Sequence, residues 1–167
     1  MKKTMKAMLA LVLAAMLLSS AALATAATYA NTQDTIASFD GVGLYYTVQG
    51  IEDKGYEVVT LGNTSDYWDY TIAFFFNEDN TSVGIRIWDL AAFDEAEIPE
   101  ALLAVNRANE AFKYARFYIE ESDNTLTCSY DIVVREGASV GDIVLEATAR
   151  LTAILDQSYP YFEDLVG

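Results

Sequence analysis

The chain has 167 residues, 25 of them acidic and only 10 basic, for a formal charge of −15. Such a surface repels phosphate backbones and excludes nucleic-acid binding as a default. With no histidine and a single cysteine, Ser/His and Cys/His catalytic pairs, most zinc sites and any intrachain disulfide are also excluded.

Residues 1–26 read as a signal peptide. Lys2, Lys3 and Lys6 precede an apolar run from Ala7 to Ala24, and Ala24-Thr25-Ala26 offers an A-x-A cleavage pattern. An uncleaved membrane anchor is the alternative, since the run is just long enough to span a bilayer. Cleavage removes three lysines and no acid, which deepens the formal charge to −18 and leaves one domain of about 140 residues. The mature protein is expected outside the cytoplasm, secreted or in the cell envelope, with membrane contact only through the signal segment.

Residues 27–40 are weakly patterned and read as a flexible leader, with the folded domain at 41–167. Gly41 to Asp53 reads as the first helix, since Leu44, Val48 and Ile51 fall at helical spacing and Gly50 and Gly55 near its end. Glu57–Leu61 is a short strand, and Gly62–Asp66 a turn cluster. Tyr67–Phe76 and Val83–Leu90 form an antiparallel pair around the Asn77–Thr81 turn. One of its faces carries Trp68, Tyr70, Ile72, Phe74, Phe76, Val83, Ile85 and Ile87, and is core.

An acidic link, Ala91–Glu100, leads through Pro99 into a central helix. Ile98, Leu102, Val105, Ala108 and Phe112 make its apolar stripe. A hairpin follows. Phe117 and Ile119 alternate with Arg116 and Tyr118, and Leu126, Cys128, Tyr130 and Ile132 alternate with Thr127, Ser129 and Asp131. Cys128 therefore reads as a buried core residue. Ser139 looks like the N-cap of a last helix running to about Ser158, where Pro160 ends it. The order α-β-β-β-α-β-β-α, with short turns between strands, predicts an α+β fold built on an antiparallel sheet.

No chemistry-bearing motif stands out. Gly41-Val42-Gly43 lacks the remainder of a phosphate loop. The acids at Asp79 and Asp94–Glu97 read as solvated rather than as metal ligands, and 25 acids make any carboxylate pair uninformative. No catalytic residue, cofactor or metal is assigned. Asn106 and Asn109, neighbours on the central helix, read as bonding backbone at the helix–hairpin junction. The second face of the sheet is the candidate site. Alternation places Phe75, Arg86 and Trp88 there, with Tyr118 joining them if both hairpins share one sheet. Aromatic rings beside an arginine suit a binding surface.

The run AVNRANEAFKYARFYIEESDNTLTCSYDI with its following long helix resembles the YbjN-like family. The resemblance rests on Asn106 and Asn109, on Phe117 and Ile119, on the acidic turn and Asp131, and on Lys54-Gly55-Tyr56. It covers roughly Gly41 to Val166. It implies a fold similar to type III secretion chaperones, and a non-enzymatic protein-binding module, such as a chaperone-like protein or a sensory-transduction regulator, able to form a homodimer. The export signal departs from the many relatives that are cytoplasmic. An exported protein- or peptide-binding module is the reading that results. The alternative is a carbohydrate or cell-envelope-binding protein, suggested by eleven tyrosines and two tryptophans.

Overall fold

The computed structural model describes residues 27–51 and 54–166. The expected signal peptide lies outside the described residues. Helix α1 spans Ala30–Val42, and four strands follow: β1 (Thr47–Ile51), β2 (Tyr56–Thr64), β3 (Asp69–Asn77) and β4 (Ser82–Ile87). Helix α2 (Ile98–Ala111) leads to β5 (Arg116–Ile119) and β6 (Leu126–Val133). Helix α3 (Val140–Ser158) then runs into a 3-10 turn at Tyr159–Tyr161. The strands make one antiparallel sheet in the order β1-β2-β3-β4-β6-β5, so β6 inserts between β4 and β5. The α+β class and the single sheet are as expected from sequence, with one strand more before the central helix. No helix among the described residues is long and apolar enough to cross a membrane.

Residues 27–51 depart most from expectation. The segment read as a flexible leader is α1, and the segment read as the first helix is the end of α1 followed by β1. Leu44, Tyr46 and Val48 are half-buried while Tyr45, Thr47 and Gln49 are exposed, a period of two. A spacing of four fits both a helix and a strand, and Leu44 to Val48 has that spacing. Gly43 ends the helix instead of beginning one. At φ 76° its N–H bonds to the Asp40 carbonyl while the Leu44 N–H bonds to that of Phe39. This is a Schellman stop, which favours glycine. Lys54-Gly55-Tyr56 is correspondingly the β1–β2 turn, with Gly55 at φ 66°. Gly62–Thr64, expected in a turn, extend β2, and Asn63 donates to the Tyr70 hydroxyl at 3.0 Å.

All three helices pack on one face of the sheet. The β3 residues Trp68 (just before the strand), Tyr70, Ile72, Phe74 and Phe76 are buried there with Val83, Ile85, Ile87, Leu126 and Cys128. Phe39 of α1 meets Phe74 edge-on at 5.5 Å, and Phe162 beyond α3 contacts Phe117 at 5.7 Å. The Trp68 indole donates to the Leu155 carbonyl at 3.1 Å, which satisfies its buried N–H. Helix α2 buries Val105 and Ala108, with Ile98 and Phe112 partly buried, as the stripe predicts, but Leu102 is 45% exposed. Ala101 and Ala104 complete the inward face in its place, and these small side chains let the helix approach closely.

Helices α1 and α3 are held at their starts by distant residues. At the start of α1, the nearly buried Glu57 carboxylate accepts from the Thr28 N–H (2.6 Å), the Thr28 hydroxyl (2.5 Å) and the Tyr29 N–H (3.1 Å). Asn80, in the β3–β4 turn, accepts from the Asn31 N–H at 3.1 Å and receives the Asn31 side-chain amide on its carbonyl. Asp34 of α1 in turn accepts the Gly141 N–H at 2.9 Å and so caps α3. Ser139, expected as that cap, donates to Asp142 instead. A Cβ at Gly141 would collide with Ser38 and with the Asp34 carbonyl, so glycine is needed where the two helices cross.

Burial raises the Glu57 pKa, but the hydrogen bonds from Thr28 and Tyr29 outweigh it and leave the carboxyl below its ordinary 4.5. A lowered folded pKa contributes stability above the unfolded value, lost as pH falls through the folded one. Glu57→Gln should therefore lower stability by about 1–3 kcal/mol near neutral pH. The deficit should shrink as the wild type is titrated below pH 4.5. Urea unfolding across that range measures both. An unchanged midpoint at neutral pH would remove Glu57 as the anchor of α1.

Candidate functional site

The face opposite the helices is built by the same alternation that builds the core. Its residues line up across the sheet by register. One row runs Thr60, Ala73, Arg86, Ser129, Arg116, and the next runs Val58, Phe75, Gly84, Asp131. No helix among the described residues packs on this face; the helices contribute to the core cluster on the other side. Most of its positions are threonine, serine or charged residues, as a hydrated antiparallel face requires.

The exception is a row of three rings. Phe75 lies between Tyr56, at 6.0 Å and 87°, and Trp88, at 5.7 Å and 89°. Both contacts are edge-to-face, the arrangement the ring quadrupoles favour. Phe75 is half-buried, while Tyr56 and Trp88 are exposed by 38% and 40%. Gly84 beside Phe75 has no side chain, which lowers the floor. The result is a concavity of about 420 Å³ lined by Tyr56, Phe75, Gly84, Arg86, Trp88 and Asp131, with the 83% exposed Val133 on its rim. Arg86 is held across this floor. Its Nη1 donates to Asp131 Oδ1 at 2.7 Å and to the Ile85 carbonyl at 2.8 Å.

The sequence reading therefore places three of its four residues together: Phe75, Arg86 and Trp88. Tyr118 shares the face but lies two strands away on β5, where it does not line the concavity. The Arg116 guanidinium sits 5.8 Å from its ring. Burial raises the Tyr118 hydroxyl pKa, Glu120 adds to the rise, and Arg86 and Arg116 oppose it. Thr127 and Ser129 lie on this face too, but buried in its floor. Tyr56 and Asp131 carry the family resemblance in the sequence but are not among its candidate site residues, because only strand pairing brings Tyr56 beside Phe75 and Asp131 to Arg86.

A second depression of about 690 Å³ adjoins the first along β2 and β3. Its lining includes Thr60, Thr71, Ala73, Asp69 and Asp89, and it shares Trp88 with the first. Neither depression holds a nucleophile activated by a base. No group of three metal-ligating side chains occurs among the described residues. Cys128 points the other way, fully buried in the core, and burial pushes its thiol up to about 12. It stays protonated and unreactive at neutral pH.

At the β5 edge of the sheet a side chain stands in for a further strand. On β5 the Asn109 side chain of α2 donates to the Phe117 carbonyl at 2.9 Å and accepts the Phe117 N–H at 2.8 Å. It thus imitates a neighbouring strand and closes that edge. Asn106, its partner in the sequence reading, is exposed.

No protein-family model matches the chain. No curated protein matches it in sequence. Among solved structures it is similar to the crystal structure of YbjN, "a putative transcription regulator from E. coli", with a TM-score of 0.53. The match covers 78% of this chain and 92% of that one, at 9% identity. The likeness is one of fold, and this chain has a YbjN-like fold.

The burial of Cys128 has a direct test. Labelling by a thiol reagent should be negligible in buffer and complete in denaturant. Cys128→Ser should cost about 1–3 kcal/mol, since the position offers a hydroxyl no water. Rapid labelling of the native protein would show the thiol to be accessible after all.

Proposed function

We propose that this chain is an exported, non-catalytic protein- or peptide-binding module of the YbjN-like family, and that its ligand lies on the open face of the sheet. The observation that carries the reading is the Tyr56–Phe75–Trp88 row, left partly exposed beside Arg86 with no element of the described chain over it. Tryptophan, tyrosine and arginine are the residue types that most often carry binding energy at an interface. An all-solvated face would have no reason to keep three packed rings. The YbjN-like fold supports binding in preference to a reaction, since the neighbour is described as "a putative transcription regulator". The basic start, apolar run and A-x-A pattern of residues 1–26 support export.

Phe75→Ala with Trp88→Ala should leave helix content and the unfolding midpoint close to wild type while weakening association by about 2 kcal/mol or more. Circular dichroism, light scattering and affinity capture from envelope extract, with purified cell-wall polymer as a parallel bait, measure this. Polymer binding that the double variant abolishes would favour the carbohydrate reading. A variant that unfolds would assign the rings to stability alone.

Export makes a separate prediction. The protein recovered from its producer should begin at or near Ala27 by intact mass. A membrane-bound chain still carrying Met1 would show the leader to be an anchor.

A further inference from the structure

We infer that the partner of the open face is a cationic protein segment, with its lysine or arginine side chains seated in the depression between Asp69, Asp89 and Trp88. This rests on the open-face reading above and names the partner's chemistry. The first observation is how charge is distributed across that face. Arg86, the cation of the first concavity, is already committed to Asp131 at 2.7 Å. Arg116 lies at the far edge over Tyr118. The adjoining depression is lined by Asp69 and Asp89 and by no lysine or arginine, and neither acid forms an ion pair among the described residues. The uncompensated charge where the two depressions meet is therefore negative.

The second observation is Trp88. Its ring is a wall of both depressions, so one side chain of a ligand can lie in the Phe75 concavity while the next reaches the acids. An indole flanked by carboxylates attracts a cation through its ring quadrupole as well as through charge. The rest of the protein works in the same direction. A formal charge of −15 draws a basic partner in and repels acidic ones. A second copy of this chain carries the same charge and presents the same acids, so it does not supply the complement.

Two tryptophans make the test specific. Trp68 is 5% exposed with its indole N–H bonded to Leu155, whereas Trp88 is open, so their indole NMR signals report core and face separately. The probes are a heptapeptide alternating lysine with phenylalanine and its glutamate–phenylalanine counterpart, titrated to millimolar concentration. The lysine peptide should shift the Trp88 signal and leave that of Trp68 in place. Added salt should weaken the binding, and Asp69→Asn with Asp89→Asn should weaken it about tenfold. The glutamate peptide should leave Trp88 unmoved. Equal binding of the glutamate peptide, or binding indifferent to the two asparagine substitutions, overturns the cationic partner and leaves the open-face reading standing. A Trp88 signal that moves with protein concentration alone points to self-association and overturns it too. A Trp88 signal that responds to neither peptide overturns the cationic partner, and with unchanged capture by the Phe75→Ala, Trp88→Ala variant it removes the open face as well.

Discussion

Burial of the aromatic and aliphatic stripe on β3 is the constraint from which the remaining architecture follows. Trp68, Tyr70, Ile72, Phe74 and Phe76 cannot be left in water, and the period-two backbone commits all of them to one side. Neighbouring strands add Val83, Ile85, Ile87 and Cys128 to that side by register. The resulting floor is broad enough to need three helices, and it takes all three. The opposite face is left to manage water by itself, which it does largely with threonines, serines and charged residues, and it sets three rings in a row at Tyr56, Phe75 and Trp88. The candidate site is thus a by-product of one-sided packing, made distinctive by the three rings that break the polar pattern.

The helices on that floor are joined to the sheet and to each other by polar contacts at their ends. Glu57 of β2 holds the N–H groups of Thr28 and Tyr29 just before α1, Asn80 in the β3–β4 turn satisfies that of Asn31 in its first turn, and Asp34 of α1 satisfies one at the start of α3. Such bonds are each modest, but an unmet N–H in a half-buried position is costly. They also fix rotation and position, which apolar packing alone leaves loose. The backbone bonds of Asn109 to Phe117 do the same for α2 against β5.

This division explains which parts of the fold were legible in the sequence. Strands β3, β4 and β6 and helix α3 carry strong apolar periodicity, and their buried faces are those the pattern indicates. Helix α1 carries almost none. It buries Asn31, Thr32 and Thr35 beside a single aromatic, Phe39, because its place is set by distant caps that no local window contains. Strand β1 was hidden by a spacing of four that serves both periods. On α2 the spacing indicates Val105 and Ala108 correctly but takes Leu102 for a core residue in place of Ala101 and Ala104, whose small side chains carry a weak apolar signal. At the candidate site, Phe75, Arg86 and Trp88 were readable from alternation along one hairpin. Asp131 and Tyr56 belong to other strands, and Tyr118 required the register of β5. Pairing across strands is information that the linear pattern does not hold.

The way α1 is held has a consequence for how the chain acquires its structure. Its contacts reach Glu57, Asn80 and Gly141, sequence separations of 29, 49 and 107 residues. The Asp34 bond and the close crossing at Gly141 cannot form until α3 has been synthesised. Helix α1, the first of the described helices in chain order, is therefore among the last to be locked in place, after β2, the β3–β4 turn and α3 have arrived. Loops of that length close slowly compared with hairpins. Fixing of α1 and completion of the fold are then coupled events, because the helix is locked only when the opposite end of the domain is in place.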